Sequence, residues 1–265
     1  MARRIAVAAT APFGADVLER LAAEFEVVQL LTRPDKPAGR GRLVAAPPAK
    51  EVAERLGIPV EQPAKLDDSV GIAAHVVVVC AYGLLIPPVL LERALWLNVH
   101  PSLLPRWRGA APVERGIMAG DTETGVTIHR TIEALDAGPI AAQRAFPIGP
   151  DHDAGAVYAR SAEIAADLLR DVLAEEEPEF TPQSADGVTY AEKIGPEDRE
   201  LDLSAPAQEL VNRVRALSPH IGAVIPGELL VWKARVGEDG AFERLEVQPA
   251  GGRRMAYDAY LRGRR

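Results

Sequence analysis

The stretch HVVVVCAYGLLIPPVLLERALWLNVH, His75–His100, decides the fold. It opens with an unbroken β-branched run, which suits a strand covered on both faces. Pro87 and Pro88 then suit the start of a helix, and LWLNVH is a second apolar strand. Strand, helix and strand within so short a span imply a crossover unit. The same alternation runs upstream. RIAVAAT reads as a buried strand, GADVLERLAAEF as a helix, EVVQLLT as a strand, PPAKEVAERLG as a helix and IPVEQP as a short strand. The fold class expected is a doubly wound α/β sheet, and such sheets bind ligands beyond the carboxyl ends of their strands.

Downstream, a helix is expected near APVERGIMAG and strands at TGVTIHRT and IAAQRAFPI, joined through the turn IEALDAGP. Asp153 looks like the N-cap of a long helix with Val157, Ile164, Leu168 and Val172 along one face. EEEPEFTPQSADG is polar, carries two prolines and reads as linker. Past it, Ser204 and Pro206 open a helix striped by Leu210, Val214 and Leu217, followed by strands at GELLVWKARV and FERLEVQPA. The domains expected are 1–174, a linker over 175–192, and a smaller second domain over 193–265.

Composition narrows the class. The 265 residues are 48% hydrophobic and 26% charged, with a formal net charge of −8, which argues against a protein that coats nucleic acid non-specifically. No apolar run approaches the roughly 20 residues of a membrane span. The opening MARRIAVAAT is better read as a first strand than as a signal peptide. Cys80 lies inside an apolar run, has no partner for an internal disulfide, and no cysteine–histidine cluster suggests a metal. A cytoplasmic monomer without metal or membrane contact is expected. Charge is nonetheless uneven. Arg33, Lys36, Arg40, Arg42 and Lys50 surround a lone Asp35, and five arginines crowd the C-terminal tail.

Asn98 and His100 are two apart on a strand, so they share a face about 6–7 Å apart along the chain. An amide donor beside an imidazole can polarise a carbonyl and hold the oxyanion formed when a nucleophile attacks it. Asp136 lies in LDAGP, a turn tightened by Gly138 and Pro139. A carboxylate near His100 would fix its tautomer and accept a proton from an attacking amine, directly or through water. The set has no Ser or Cys nucleophile and no phosphate loop. It suits acyl transfer between two bound partners.

NVHPSLLPRWRGAAP, then GDTETGVTIHR, then EALDAGPI resemble the folate-dependent formyltransferases, with Asn98, His100 and Asp136 in the order of that family's catalytic residues. TRPDKPAGRGR, PPAK, TYAEKI and the ending LEVQPAGGRRMAYDAYLRG are similar to the members acting on methionyl-tRNA, so the likeness covers nearly the whole chain. The resemblance implies a Rossmann-like formyltransferase domain followed by a small, shortened OB-like β-barrel. It implies transfer of the formyl group of 10-formyltetrahydrofolate to the α-amino group of methionyl-initiator tRNA. Asn98 and His100 would stabilise the tetrahedral oxyanion and Asp136 would assist proton transfer. Ser102, Leu103, Leu104 and Pro105 match the family's folate-contacting segment, and Tyr82, Gly83, Leu84 and Leu85 would line the pterin pocket. Arg33, Lys36, Arg40 and Arg42 would meet the tRNA acceptor stem.

The chain departs from the family pattern at ATAPFG, at SPHIGA and in the length of the barrel. Two alternatives stand beside this reading: a formyltransferase acting on an amino sugar nucleotide, and a non-catalytic relative that binds tRNA or folate. His75, His129, His152 and His220 read as structural or surface residues, and Cys80 as core.

Overall fold

The computed structural model describes residues 3–38 and 43–263. Strand β1 (Arg4–Ala9) lies inside the main sheet, and Ile5 to Ala9 are fully buried, as the apolar run requires. Helix α1 (Pro12–Ala22) follows with a proline in its first turn. Gly14 lets it approach closely, because a Cβ there would come within 2.9 Å of the Ala9 side chain. Strand β2 (Glu26–Leu31), helix α2 (Pro48–Leu56) and the short strand β3 (Val60–Glu61) complete one side of the sheet. The chain then crosses to the other side with β4 (Val76–Cys80), the one-turn helix α3 (Pro88–Leu91) and β5 (Leu95–His100). Helix α4 (Pro112–Met118), strands β6 (Glu123–Arg130) and β7 (Ile140–Pro147) and helix α5 (Ala154–Ala174) follow. Asp153 caps α5, its Oδ1 accepting the Ala156 N–H at 2.9 Å.

The seven strands run in the order β7-β6-β5-β4-β1-β2-β3. Pairs β3–β2, β2–β1, β1–β4 and β4–β5 are parallel. β5 pairs with β6 antiparallel, so the doubly wound sheet is mixed. The α4 segment returns the chain in the opposite sense, and an alternating apolar pattern carries no record of strand direction.

The direction of winding reverses between β1 and β4, where such sheets leave a crevice at their carboxyl ends. Two bonds tie the loops there. Thr10 Oγ1 donates to the Tyr82 carbonyl at 2.9 Å, and Ala11 N–H donates to the Ala81 carbonyl at 3.3 Å.

The chain divides into two compact units. One comprises Met1–Arg108, Gly125–Arg144 and Ala159–Val188, and the other Gly109–Thr124, Ala145–Tyr158 and Thr189–Arg265. In the second unit, helix α6 (Ala207–Leu217) packs on α4 and on an antiparallel sheet. That sheet has the order β8 (Ala223–Ile225), β9 (Leu229–Val236), β10 (Phe242–Pro249), β11 (Met255–Ala256), and helix α7 (Tyr257–Arg262) ends the described chain. Leu210, Val214 and Leu217 join Val231 and Val247 in one apolar cluster, which accounts for the stripe seen in the sequence. Among the described residues the C-terminal strands form this four-stranded antiparallel sheet. No helix among the described residues is long and apolar enough to cross a membrane.

Candidate active site

Strand β5 alternates faces along its length. Leu97 and Val99 are buried on one side, while Asn98 and His100 project from the other. Strand β6 lies beside it in register, with Asn98 opposite His129 and His100 opposite Thr127. Cross-strand partners share a face. Four polar side chains therefore sit together on one surface, and Leu97, Val99 and Ile128 lie on its reverse.

Asp136 reaches this group from the turn that joins β6 to β7. Its Oδ2 lies 3.7 Å from His100 Nδ1, and its Oδ1 accepts a hydrogen bond from Asn98 Nδ2 at 3.1 Å. The structure thus brings Asn98, His100 and Asp136 together as the sequence predicts. Asp136 has a backbone φ of 46°, in the left-handed region where a side chain costs about 1–3 kcal/mol. Gly138 keeps the turn against β6, because a Cβ there would fall on the Arg130 carbonyl.

His100 is 4% exposed, and its Nε2 lies 2.8 Å from the Trp107 carbonyl. A carbonyl only accepts, so Nε2 carries the proton and Nδ1 turns its lone pair toward Asp136. The 3.7 Å to the carboxylate is too long for a direct hydrogen bond. Burial pushes the imidazole below its usual value, while the Asp136 charge and the Trp107 carbonyl pull it back up. The net lowering favours the neutral ring. Trp107 is itself left-handed, with φ 63°. Two strained residues therefore bracket one ring.

His129, read from the sequence as structural or surface, is buried in this cluster. Its Nδ1–H donates to the Arg130 carbonyl at 3.1 Å, which leaves the Nε2 lone pair to accept from Asn98 Nδ2 at 3.1 Å. The ring is 2% exposed. The only sequence signal is its place on a strand that pairs with β5, and pairing register is not local information.

Among the residues expected to contact folate, Ser102 and Leu104 are buried, and Leu103 and Pro105 half-buried. Their loop is held from within. Ser102 Oγ donates to the Arg106 carbonyl at 2.7 Å. Thr127 Oγ1 donates to the Ser102 carbonyl at 2.6 Å and accepts the Leu104 N–H at 3.2 Å. Gln143 Nε2 adds bonds to Thr127 Oγ1 and to the Leu104 carbonyl at 2.8 and 3.0 Å. The second loop, Tyr82–Leu85, leaves the neighbouring strand β4 at the same sheet edge, with Leu84 half-buried and Leu85 83% exposed. Tyr82 lies in the core, its hydroxyl without a hydrogen-bond partner, and burial pushes its phenol up to about 12.

The four basic residues expected to meet tRNA divide. Arg33 is half-buried beside Gly83, Lys36 is exposed, and Arg40 and Arg42 lie outside the described residues. Lys50, counted in the same basic stretch, is taken up by Asp35. Its Nζ lies 3.0 and 2.8 Å from the two carboxylate oxygens and 3.0 Å from Gln62 Oε1. Gln62 Nε2 donates in turn to Asp35 Oδ1 and to the Arg33 carbonyl. The Lys50 bond holds the Asp35 carboxyl below its usual value, with Gln62 adding to the effect. This knot fixes both ends of the basic loop.

Comparison with known proteins gives a consistent answer. The family described as "Formyl transferase" matches residues 3–173, and "Formyl transferase, C-terminal domain" matches residues 193–241. The methionyl-tRNA formyltransferase of Halorhodospira halophila is 40% identical over a 304-position alignment covering 100% of this chain and 97% of the relative. That of a Methylobacterium species is 41% identical, covering 91% of this chain and 89% of the relative. Two solved structures share the fold. The methionyl-tRNA formyltransferase of Clostridium thermocellum has a TM-score of 0.65 at 15% identity, covering 93% of this chain and 98% of its own. An N-formyltransferase from Helicobacter canadensis, in complex with folinic acid and dTDP-3-aminofucose, has a TM-score of 0.69 at 16% identity, covering 89% and 88%.

Proposed function

Because the chain belongs to the formyl transferase family and to its methionyl-tRNA formyltransferases, we propose that it moves the formyl group of 10-formyltetrahydrofolate onto the α-amino group of methionyl-initiator tRNA. The observation that carries the reaction is the convergence of Asn98, His100 and Asp136 on one face at the carboxyl end of β5.

Attack of a neutral amine on the formyl carbon puts negative charge on the formyl oxygen and a surplus proton on the nitrogen. Asn98 donates an N–H to that oxygen by exchanging it for one of the two bonds it makes at rest. His100, expected from the resemblance to help hold the oxyanion, is read instead as the base: its Nε2–H is committed to Trp107, so the amine proton passes to the Nδ1 lone pair and Asp136 stabilises the imidazolium that results. The Nε2–H bond to Trp107 keeps the ring from turning while this happens. When the tetrahedral centre collapses, the departing folate nitrogen needs one proton, and His100 Nδ1 returns it. Each cycle leaves His100 neutral. Water is excluded from the ring by its burial.

For the folate, the two loops at the switch point supply what a pteridine needs: the apolar Leu84 and Leu85, and backbone groups of Tyr82–Leu85 and Ser102–Pro105. For the tRNA, the knotted base of the basic loop carries Arg33 and Lys36 as phosphate contacts, and Arg40 and Arg42, outside the described residues, are read as further ones from the sequence. The four-stranded C-terminal sheet is read as a shortened OB-like platform for the RNA backbone, and the division into 1–174, 175–192 and 193–265 as catalytic part, linker and platform. The reaction is placed in the cytoplasm, in a monomer.

An amino sugar nucleotide as acceptor would use the same three residues, and the Helicobacter canadensis enzyme shares the fold. The tRNA is favoured by the 40% identity of relatives that span the chain. The test is an acceptor screen with purified protein and 10-formyltetrahydrofolate, run on methionyl-initiator tRNA, amino sugar nucleotides and no acceptor. Formylation of the tRNA alone is expected, and it should be abolished in His100→Ala and Asp136→Asn while folate binding stays within a few-fold. Turnover retained in those variants would reject the assignment.

A further inference from the structure

Trp107 and Asp136 flank His100 at its two nitrogens, and both have left-handed backbones. Neither conformation is self-supporting, so something must hold the two peptides in place. The structure provides one side chain that touches both segments. Gln183 Nε2 donates to the Asp136 carbonyl at 2.7 Å and to the Gly138 carbonyl at 2.8 Å. Its Oε1 accepts from Arg108 Nε at 3.1 Å and from the same guanidinium's Nη2 at 2.6 Å. Both amide hydrogens and both lone pairs are used. Carbonyls on one side and a guanidinium on the other leave the amide a single orientation.

Gln183 is itself anchored. Two residues earlier, Thr181 exchanges backbone bonds with Ile140 at 2.7 and 2.8 Å, adding this segment beside the first residue of β7. The polar stretch after α5 is therefore not merely a tether, because it returns to the turn that bears Asp136.

We infer that Gln183 is a positioning residue for the formyl transfer, its amide locking the Asp136 turn to the Arg108 segment so that His100 is held between carboxylate and carbonyl. This rests on the reading of His100 and Asp136 as the proton-handling pair. Glutamate is the discriminating substitution. It has the same shape and still accepts from Arg108, yet when ionised it has no hydrogen to give either carbonyl.

The test uses the full chain and two readouts. In steady-state formylation of methionyl-initiator tRNA, Gln183→Glu lowers kcat by about 100-fold, the loss expected for a misplacement near 1 Å. KM for both substrates stays within about threefold. In substrate-free protein labelled with nitrogen-15 at histidine, the His100 ring resonances move in Gln183→Glu and Gln183→Met, whereas those of exposed His152 stay in place. A kcat within twofold of the parent, or an unmoved His100 signal, overturns the inference. The ring signal needs no acceptor, so it decides the matter for Gln183 even if the parent protein formylates no tRNA. If Gln183→Met does not fold, Gln183→Glu carries both readouts.

Discussion

Asn98 Nδ2 lies 3.1 Å from His129 Nε2 and 3.1 Å from Asp136 Oδ1, so a single amide group bridges an imidazole and a carboxylate. The amide that is to meet the developing oxyanion is held by two acceptors before any substrate arrives. Removing one should loosen it. His129→Leu is expected to lower kcat roughly tenfold or more, in the range of a weakened oxyanion donor. It should also lower stability by about 1–3 kcal/mol, because a buried N–H loses its acceptor. An unchanged rate, measured beside thermal unfolding, would make His129 purely a packing residue.

The acid limb of activity follows from burial of His100. Its value in the folded protein lies below the ordinary 6.5, and catalysis uses the neutral ring, so once protonation of the acceptor amine is allowed for, His100 should add a loss of rate only on the acid side of pH 6.5. The stability sign is the same. Between the lowered folded value and 6.5 the unfolded chain binds the extra proton, so stability rises with pH across that window and is flat above it for this group. Asp136 raises the ring's value, so Asp136→Asn should move the titration further to acid, which histidine NMR reads directly. A shift toward alkali would contradict the electrostatics.

Gly138 sets how closely the Asp136 turn approaches β6. Gly138→Ala drives a methyl group into the Arg130 carbonyl and pushes the turn away. A kcat loss of about 100-fold is expected. The melting temperature should fall as well, since overpacking costs about 1–3 kcal/mol. Full activity in this variant would show that the carboxylate's position is not critical.

The basic loop makes a salt-dependent prediction. Arg40→Ala should reduce the slope of log affinity for tRNA against log salt by about one unit, as for one lost phosphate contact. Lys50→Met leaves Asp35 and Gln62 without the cation that joins them, and should raise KM for tRNA while KM for folate stays put. Equal effects on both substrates would place the knot's role in general folding.

Much of the sheet could be read from β-branched runs, because residues such as Val76–Cys80, buried on every side, leave a local mark. The reversed direction of β6 left none, since apolar alternation is the same either way along a strand. The convergence of Asn98, His100 and Asp136 is legible in a two-residue spacing, a tight turn and a family likeness. His129 was missed because its partner stands 31 residues away across a register that only the folded sheet defines. Gln183 was hidden for a different reason: it lies in a polar, proline-bearing stretch whose composition is that of any linker, and only its bonds reveal its use. The pairing of Lys50 with Asp35 spans 15 residues and left no mark in the local sequence.

The register between β5 and β6 has a last consequence. Asn98, His100, Thr127 and His129 all point one way because Leu97, Val99 and Ile128 point the other. Sliding either ribbon by a single position would bury the polar group where the aliphatic one belongs and strand the aliphatic one in its place. The chemistry is thereby insured by the hydrophobic core: a protein that mis-set its reactive groups in this way would fail to assemble before it failed to react.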